Sequence, residues 1–268
     1  MTWLAIVLIG LGVGDLVRSS AWGPARVAAH VATPVVILVV AVLSDVDAWL
    51  DLLALAVGAA LAAVWMELSR RTQRTGHGAL AALGVFVLLV VGLVGFSGAA
   101  SAPGGPLAAW LGWADLPTSV SPSASRVLLL AGLVAFNVAT ANVIVRLVLL
   151  AIGALSPDAV AASSTRPPPG QPAQPADRLK GGRLLGPMER LVIVGLGLAG
   201  EFGAAGIVIA AKGLLRFPEV QAAARRGATG TAGAYAGGPA GIDDVTEYFL
   251  VGSFVSWLIA LGSLALVV

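Results

Sequence analysis

Seven long apolar runs follow one another along this chain, and that repetition limits its fold more than any single motif does. They cover Thr2–Val17, Val27–Leu43, Trp49–Leu68, Ala79–Ala100, Val127–Leu155, Arg190–Leu215 and Val245–Val268. A helix of about 20 apolar residues crosses the ~30 Å of bilayer hydrocarbon. Only helices and closed barrels satisfy their own backbone hydrogen bonds there. The expected fold class is therefore all-α, a polytopic transmembrane helix bundle of about seven spans. Composition agrees: 58% of residues are hydrophobic and 11% charged, against roughly a quarter charged in soluble domains. The first two runs are the shortest. Between the fourth and fifth, "GGPLAAWLGWADLP" is too short to cross, and Trp110 and Trp113 suit a membrane–water interface. The first run has neither a basic lead-in nor a cleavage site, so a signal peptide is not expected.

The net charge of +2 comes without dense Lys/Arg interleaved with aromatics, so nucleic acid is not an expected partner. The lipid bilayer is, together with a protein partner or a second copy of the chain. With zero cysteines, disulfides and thiolate metal sites are excluded. The Ala/Gly/Val/Leu/Arg bias suits a bacterium and its inner membrane, crossed several times.

Orientation follows from Lys and Arg. With the N-terminus outside, Arg18, Arg26, Arg70, Arg71, Arg74, Arg166, Arg178, Lys180 and Arg183 fall on the cytoplasmic side. "SDVDAWLD" and the stretch Ser101–Ser125 fall outside and carry no Lys or Arg. The expected arrangement is N-out, C-in. Arg216, Arg225 and Arg226 break the pattern, being on the outer side of a straight sixth span; a re-entrant sixth segment would remove the conflict.

Residues 1–155 read as a five-helix membrane block and 156–183 as a Pro-rich linker. A two-helix block at 184–268 contains a Gly/Ala-rich loop at 218–243. "SSTRPPPGQPAQPADRLKGG" is too poor in apolar groups to order itself. There is no internal repeat of the inverted-transporter kind.

The sixth run holds Arg190, Glu201 and Lys212 at eleven-residue spacing, nearly one stripe of a helix. Arg190 and Lys212 would then snorkel to opposite interfaces, with Glu201 left near the midplane. A carboxylate there costs at least ~2.5 kcal/mol unless it is answered. The expected answer is Arg146 on the fifth helix, with Asn142 on the same face and Asn137 and Thr140 nearby. Gly197, Gly200, Gly203 and Gly206 would let the two helices approach closely. A second grouping, Asp15, His30 and Glu67, falls in one leaflet and could form a proton or metal site. His77 reads as a solvated loop side chain.

No phosphate loop, HExxH helix or nucleophile elbow is present, and "GLGLAG" lies inside an apolar helix with no preceding strand. No cofactor is expected, and enzymatic activity is the weakest of three readings. The others are a small-solute or ion permease with a midplane Glu–Arg site, and a non-catalytic scaffold or complex subunit.

The C-terminal block, "GRLLGPMERLVIVGLGLAGEFGAAGIVIAAKGLLRFPE" followed by "EYFLVGSFVSWLIAL", resembles a bacterial polytopic membrane family classed only as a domain of unknown function. Gly186, Glu189, Arg190, Lys212, Arg216, Phe217, Glu247, Tyr248 and Gly252 match that family's pattern. Asp15 and His30 match it more loosely. The resemblance implies a membrane helical fold and directs attention to Glu189, Arg190, Lys212, Arg216 and Glu247, a set suited to interfacial ion pairs. It implies no reaction. The chain departs from the pattern in its Ala/Gly-rich insertion and in Glu201, where members often carry a neutral polar residue.

Overall fold

The computed structural model describes residues 1–20, 25–114, 123–155, 182–211, 213–214 and 242–267, with backbone alone for 26, 182–184 and 242–249. The described residues are helical, without a strand. We number the helices α1 Thr2–Arg18, α2 Ala25–Leu43, α3 Trp49–Thr75, α4 Ala79–Gly95, α5 Gly105–Trp113, α6 Ala124–Ala151, α7 Gly182–Leu198, α8 Phe202–Ala211 and α9 Ile242–Ala265. Both α3 and α6 are long and apolar enough to cross a membrane by length and composition, and α2, α4, α8 and α9 contribute shorter apolar stretches.

The first run, one of the two shortest, is the centre of the molecule. Trp3 through Leu8 and Leu11 are all buried, as expected of a helix that is apolar all round. α1 packs most extensively on α2 and α6, and its small residues allow it. A Cβ on Gly10 would fall 2.9 Å from the Thr33 carbonyl oxygen of α2, and one on Gly12 would fall 2.6 Å from the Ala135 backbone of α6. Around this axis α3 buries a stripe at Asp51, Leu55, Gly58, Ala62, Trp65, Ser69 and Thr72, spaced by alternating fours and threes. Its other face leaves Leu50, Leu52, Leu53, Val57 and Val64 exposed. Apolar side chains also cover the outer faces of α2 and α4, while Asp15, Asp51, Asn137, Thr140 and Arg190 are buried. Trp110 and Trp113 on α5 are exposed.

Contacts between named residues fix the helix directions. Trp3 and Asp51 meet near the starts of α1 and α3, and Thr2 meets Ser101 just after α4. At the other end of the bundle, Arg18 meets Ser69. α6 lies beside α1 and runs with it, Gly132 against Ala5 and Ala135 against Gly12. α9 runs against α6: Gly252 sits on Leu149, and Ser263 meets Asn137. The C-terminal end of α9 therefore lies toward the end where α1 begins. α1 thus starts and α9 ends toward one side of the bundle, where the expected N-out, C-in arrangement would have them on opposite sides.

The sixth run is not one straight helix. Its first half, α7, ends in a Schellman cap. Gly200 takes φ +80; the Glu201 amide donates to the Leu196 carbonyl at 2.8 Å and the Gly200 amide to Gly197 at 3.1 Å. α8 then starts, with the Ala205 amide bonding the Glu201 carbonyl at 3.1 Å. Ile209 packs with Leu198 and Trp257 around Ile193, Val194 and Ala260. Sixteen residues along one straight helix would separate Ile209 from Ile193 by about 24 Å, so α8 folds back along α7. Gly200→Ala forces a side chain into the left-handed region, at a cost of about 1–2 kcal/mol. We expect a lowered midpoint of thermal unfolding in detergent for that variant, and a stability within about 0.5 kcal/mol of the parent for Glu201→Gln.

Candidate functional site: two buried polar centres on one π-turn

Within α6 the stretch Phe136–Thr140 is π-helical. A π-turn adds one residue to the hydrogen-bond ladder and leaves a carbonyl for an outside donor, and such turns gather at functional sites. Here that carbonyl belongs to Asn137. It accepts from Arg190 Nε at 3.0 Å and Nη2 at 2.8 Å. Nη2 also donates to Asn142 Oδ1 at 2.6 Å, and Nη1 to Ser256 Oγ at 3.0 Å. Four hydrogen bonds thus engage a guanidinium that has five N–H donors. Arg190 is 1% exposed, and Gly186 lies over Nη1, with room for no more than a methyl. The Asn137 amide donates to Leu133 O and Ser263 Oγ, both at 2.9 Å, and its Oδ1 has no partner. Beside this centre, Trp257 Nε1 donates to Glu189 at 2.7 Å. An apolar crevice of about 110 Å³ between α6 and α7 is lined by Leu130, Leu133, Val134, Asn137, Leu191 and Leu198, among others.

The second centre lies on the other side of the π-turn. Arg18 Nη2 meets Asp15 Oδ1 at 2.6 Å, and Nη1 donates to Ser69 Oγ at 2.9 Å and Met66 O at 3.0 Å. The Thr140 hydroxyl and the Trp65 indole lie beside the same carboxylate. Asp15 Oδ2, Trp65 Nε1 and Thr140 Oγ1 are buried without a hydrogen-bond partner. Trp65 and Phe136 flank Phe86, with ring centroids 5.1 and 5.7 Å from it.

No family model, curated protein or solved structure matches this chain.

Of the residues expected from sequence, Asn137 and Asn142 do face the sixth segment, but they meet Arg190. Glu201 is exposed, at the tip of the α7–α8 hairpin rather than in mid-helix, and no hydrogen bond or ion pair engages its side chain among the described residues. The expected Glu201–Arg146 pair is therefore corrected: Gly200 ends the helix one residue before the carboxylate. Arg146 is half-buried and has another interaction. Arg190 does not snorkel to an interface, and Glu189, 8% exposed, is buried with it. Lys212 and Arg216 lie outside the described residues, as do the side chain of Glu247 and the linker at 156–181. Of the four glycines expected to pack around Glu201, Gly197 meets Leu264, while Gly200, Gly203 and Gly206 have nothing within 4 Å.

Asp15, His30 and Glu67 do not converge. Asp15 is buried on Arg18, His30 is exposed, and Glu67 pairs with Arg70 at 2.6 Å and Arg71 at 2.7 Å. Among the described residues no three His, Cys, Asp or Glu side chains gather as a metal site would require. His77 is exposed, its ring nitrogen 2.8 Å from the Thr75 carbonyl. Sequence reasoning missed the Arg18–Asp15 pair, although its three-residue spacing is the signal for one. It also missed Asp51, which is fully buried and accepts from Trp3 Nε1 at 2.6 Å and from the Ser101 amide at 3.1 Å.

Proposed function

We propose that this chain is a multi-pass integral membrane protein of the bacterial inner membrane, and that it moves a small polar solute or ion through the polar interior around the π-turn of α6. The observation that carries this reading is the pairing of a broken, folded-back helix, α7–α8, with a π-turn whose buried polar atoms are incompletely partnered. Irregular backbone at membrane depth is tolerated where it is enclosed in protein or lines a polar path, and transporter sites are commonly built on discontinuous helices. The proposed site comprises Arg190, Asn137 and Asn142 on one side, and Asp15 and Thr140 on the other. It replaces the midplane Glu–Arg site expected from sequence.

The membrane reading draws on apolar outer faces and buried polar groups, the reverse of the usual soluble pattern. It draws also on charge. Arg18, Arg70 and Arg71 gather at the end of the bundle where α1 finishes, the side that basic residues would mark as cytoplasmic. The likeness to the uncharacterised membrane family remains part of this proposal; Gly186, Glu189, Arg190 and Gly252, four of its matching positions, all stand at helix–helix contacts.

The test is flux in proteoliposomes. Proton uptake under a potassium diffusion potential, and osmotic swelling with a panel of small polar solutes, should show transport that Asp15→Asn or Asn142→Ala reduces by about tenfold. A second reading, a scaffold whose buried polar groups only hold helices together, is favoured by how fully Arg190 is engaged. Folded protein that carries nothing in either assay would establish the scaffold reading and end the transport one.

A further inference from the structure

We propose that the outer face of α3 binds an anionic phospholipid, with an acyl chain along Leu53, Val57 and Val64 and the phosphate held by Arg71 and Arg74. This rests on the membrane reading above, though not on transport.

Length and exposure carry it together. α3 has 27 residues, about 40 Å at ~1.5 Å per residue, against ~30 Å of hydrocarbon. Trp49, 72% exposed, suits the membrane–water interface at its first residue. The hydrocarbon then ends about twenty residues later, near Ser69, and the last turns stand among the headgroups. The outer side of α3 follows that division. Leu53, Val57, Ala60 and Val64 are exposed, and the same spacing of threes and fours continues through Glu67 to Arg71 and Arg74. One stripe of the helix is thus apolar as far as Val64 and charged from Glu67 onward, without a change of face.

Charge selects the occupant. Glu67 accepts from Arg70 at 2.6 and 2.9 Å and from Arg71 Nε at 2.7 Å. The Arg71 Nη groups and the whole Arg74 guanidinium have no hydrogen bond or ion pair among the described residues. Both side chains are exposed. Residues three apart on a helix have Cβ atoms about 5–6 Å from one another, so one phosphate can accept from both guanidinium forks. Arg70, Arg71 and Arg74 together outweigh the Glu67 carboxylate and the roughly half negative charge of the helix C-terminus. A soluble anion would use the arginines and leave the apolar stripe bare. A phospholipid of net negative charge covers both, whereas a zwitterionic one brings its own cation to the arginines.

Native mass spectrometry of the full chain in mild detergent, titrated with dioleoyl-phosphatidylglycerol or dioleoyl-phosphatidylcholine, tests this. Each arginine near an anionic headgroup contributes a factor of about five, so the first phosphatidylglycerol should bind about 25-fold more tightly than the first phosphatidylcholine. Arg71→Gln combined with Arg74→Gln should bring the two lipids within about twofold of each other. Arg126→Gln, an exposed arginine at the start of α6 and so at the far end of the bundle, should leave the preference unchanged. Equal affinity of the parent for the two lipids overturns the proposal, as does a preference that survives the double variant or falls equally with Arg126→Gln. Alkaline carbonate extraction separates the two possible failures. A chain that stays in the membrane but shows no preference sinks the lipid site alone, and a chain that alkali washes off sinks the membrane reading with it.

Discussion

Replacing Arg190 with alanine is expected to detach α7 and α9 from the rest of the bundle. The guanidinium joins α6, α7 and α9 in this centre, through Asn137, Asn142 and Ser256. Its removal strands the Asn137 carbonyl, the Asn142 amide oxygen and the Ser256 hydroxyl. Each buried polar atom left unpartnered costs about 1–3 kcal/mol. The total should reach about 3 kcal/mol or more, a large share of the margin by which domains are folded. Lysine should rescue little, because an ammonium has three donors and no planar fork to serve three helices. The measurement is thermal unfolding in detergent together with limited proteolysis. α7 and α9 should become cleavable at temperatures where α1–α6 stay protected, since Ile193, Val194 and Ala260 cluster apart from the main core, which α9 meets through the partly buried Ile259. Simultaneous loss of all helices, or none, would contradict the account.

A second substitution with a large effect lies at the opposite end of the size scale. Gly12→Leu should prevent folding. A Cβ at Gly12 already comes within 2.6–2.7 Å of the Ala135 carbonyl carbon, Cβ and oxygen. These atoms are backbone or next to it, so no side-chain rotation relieves the clash. Overpacking by a few methylenes costs about 1–3 kcal/mol in a core that can adjust, and this contact cannot. Alanine at the same position should lower the unfolding midpoint measurably; leucine should leave no folded peak on size-exclusion chromatography. The control is Gly92→Ala on α4, where nothing lies within 4 Å. It should be neutral or stabilising by up to about 1 kcal/mol, the helix-propensity difference. If Gly12→Leu folds as well as the control, α1 does not meet α6 as described.

How legible was this in advance? The helices of the first 155 residues follow directly from hydropathy, because a 3.6-residue turn and an apolar face are local properties. α3 begins at Trp49 and α4 at Ala79, the positions where their apolar runs begin. Asn137 and Asn142 also stand out in the sequence, since amides inside an apolar run demand partners wherever the chain goes, whereas Arg190 reads there as an interfacial residue. Their pairing was not visible. Equal eleven-residue spacing made Glu201 look like the midpoint of one straight helix. A single αL glycine at 200 broke that stripe and sent Arg190 to α6 instead. Hydropathy does not register such a turn, because glycine's freedom to adopt positive φ leaves the apolar count unchanged.

The sequence alone determined that the chain is helical, apolar on most faces, free of thiol chemistry and obliged to pair a few charges inside its core. Tertiary structure decided which charges meet, that the shortest leading helix is the central one, and that the sixth segment doubles back. The reason is physical. Apolar periodicity is written residue by residue, whereas a hydrogen bond between residues 53 positions apart, as from Arg190 to Asn137, exists only once the helices are packed.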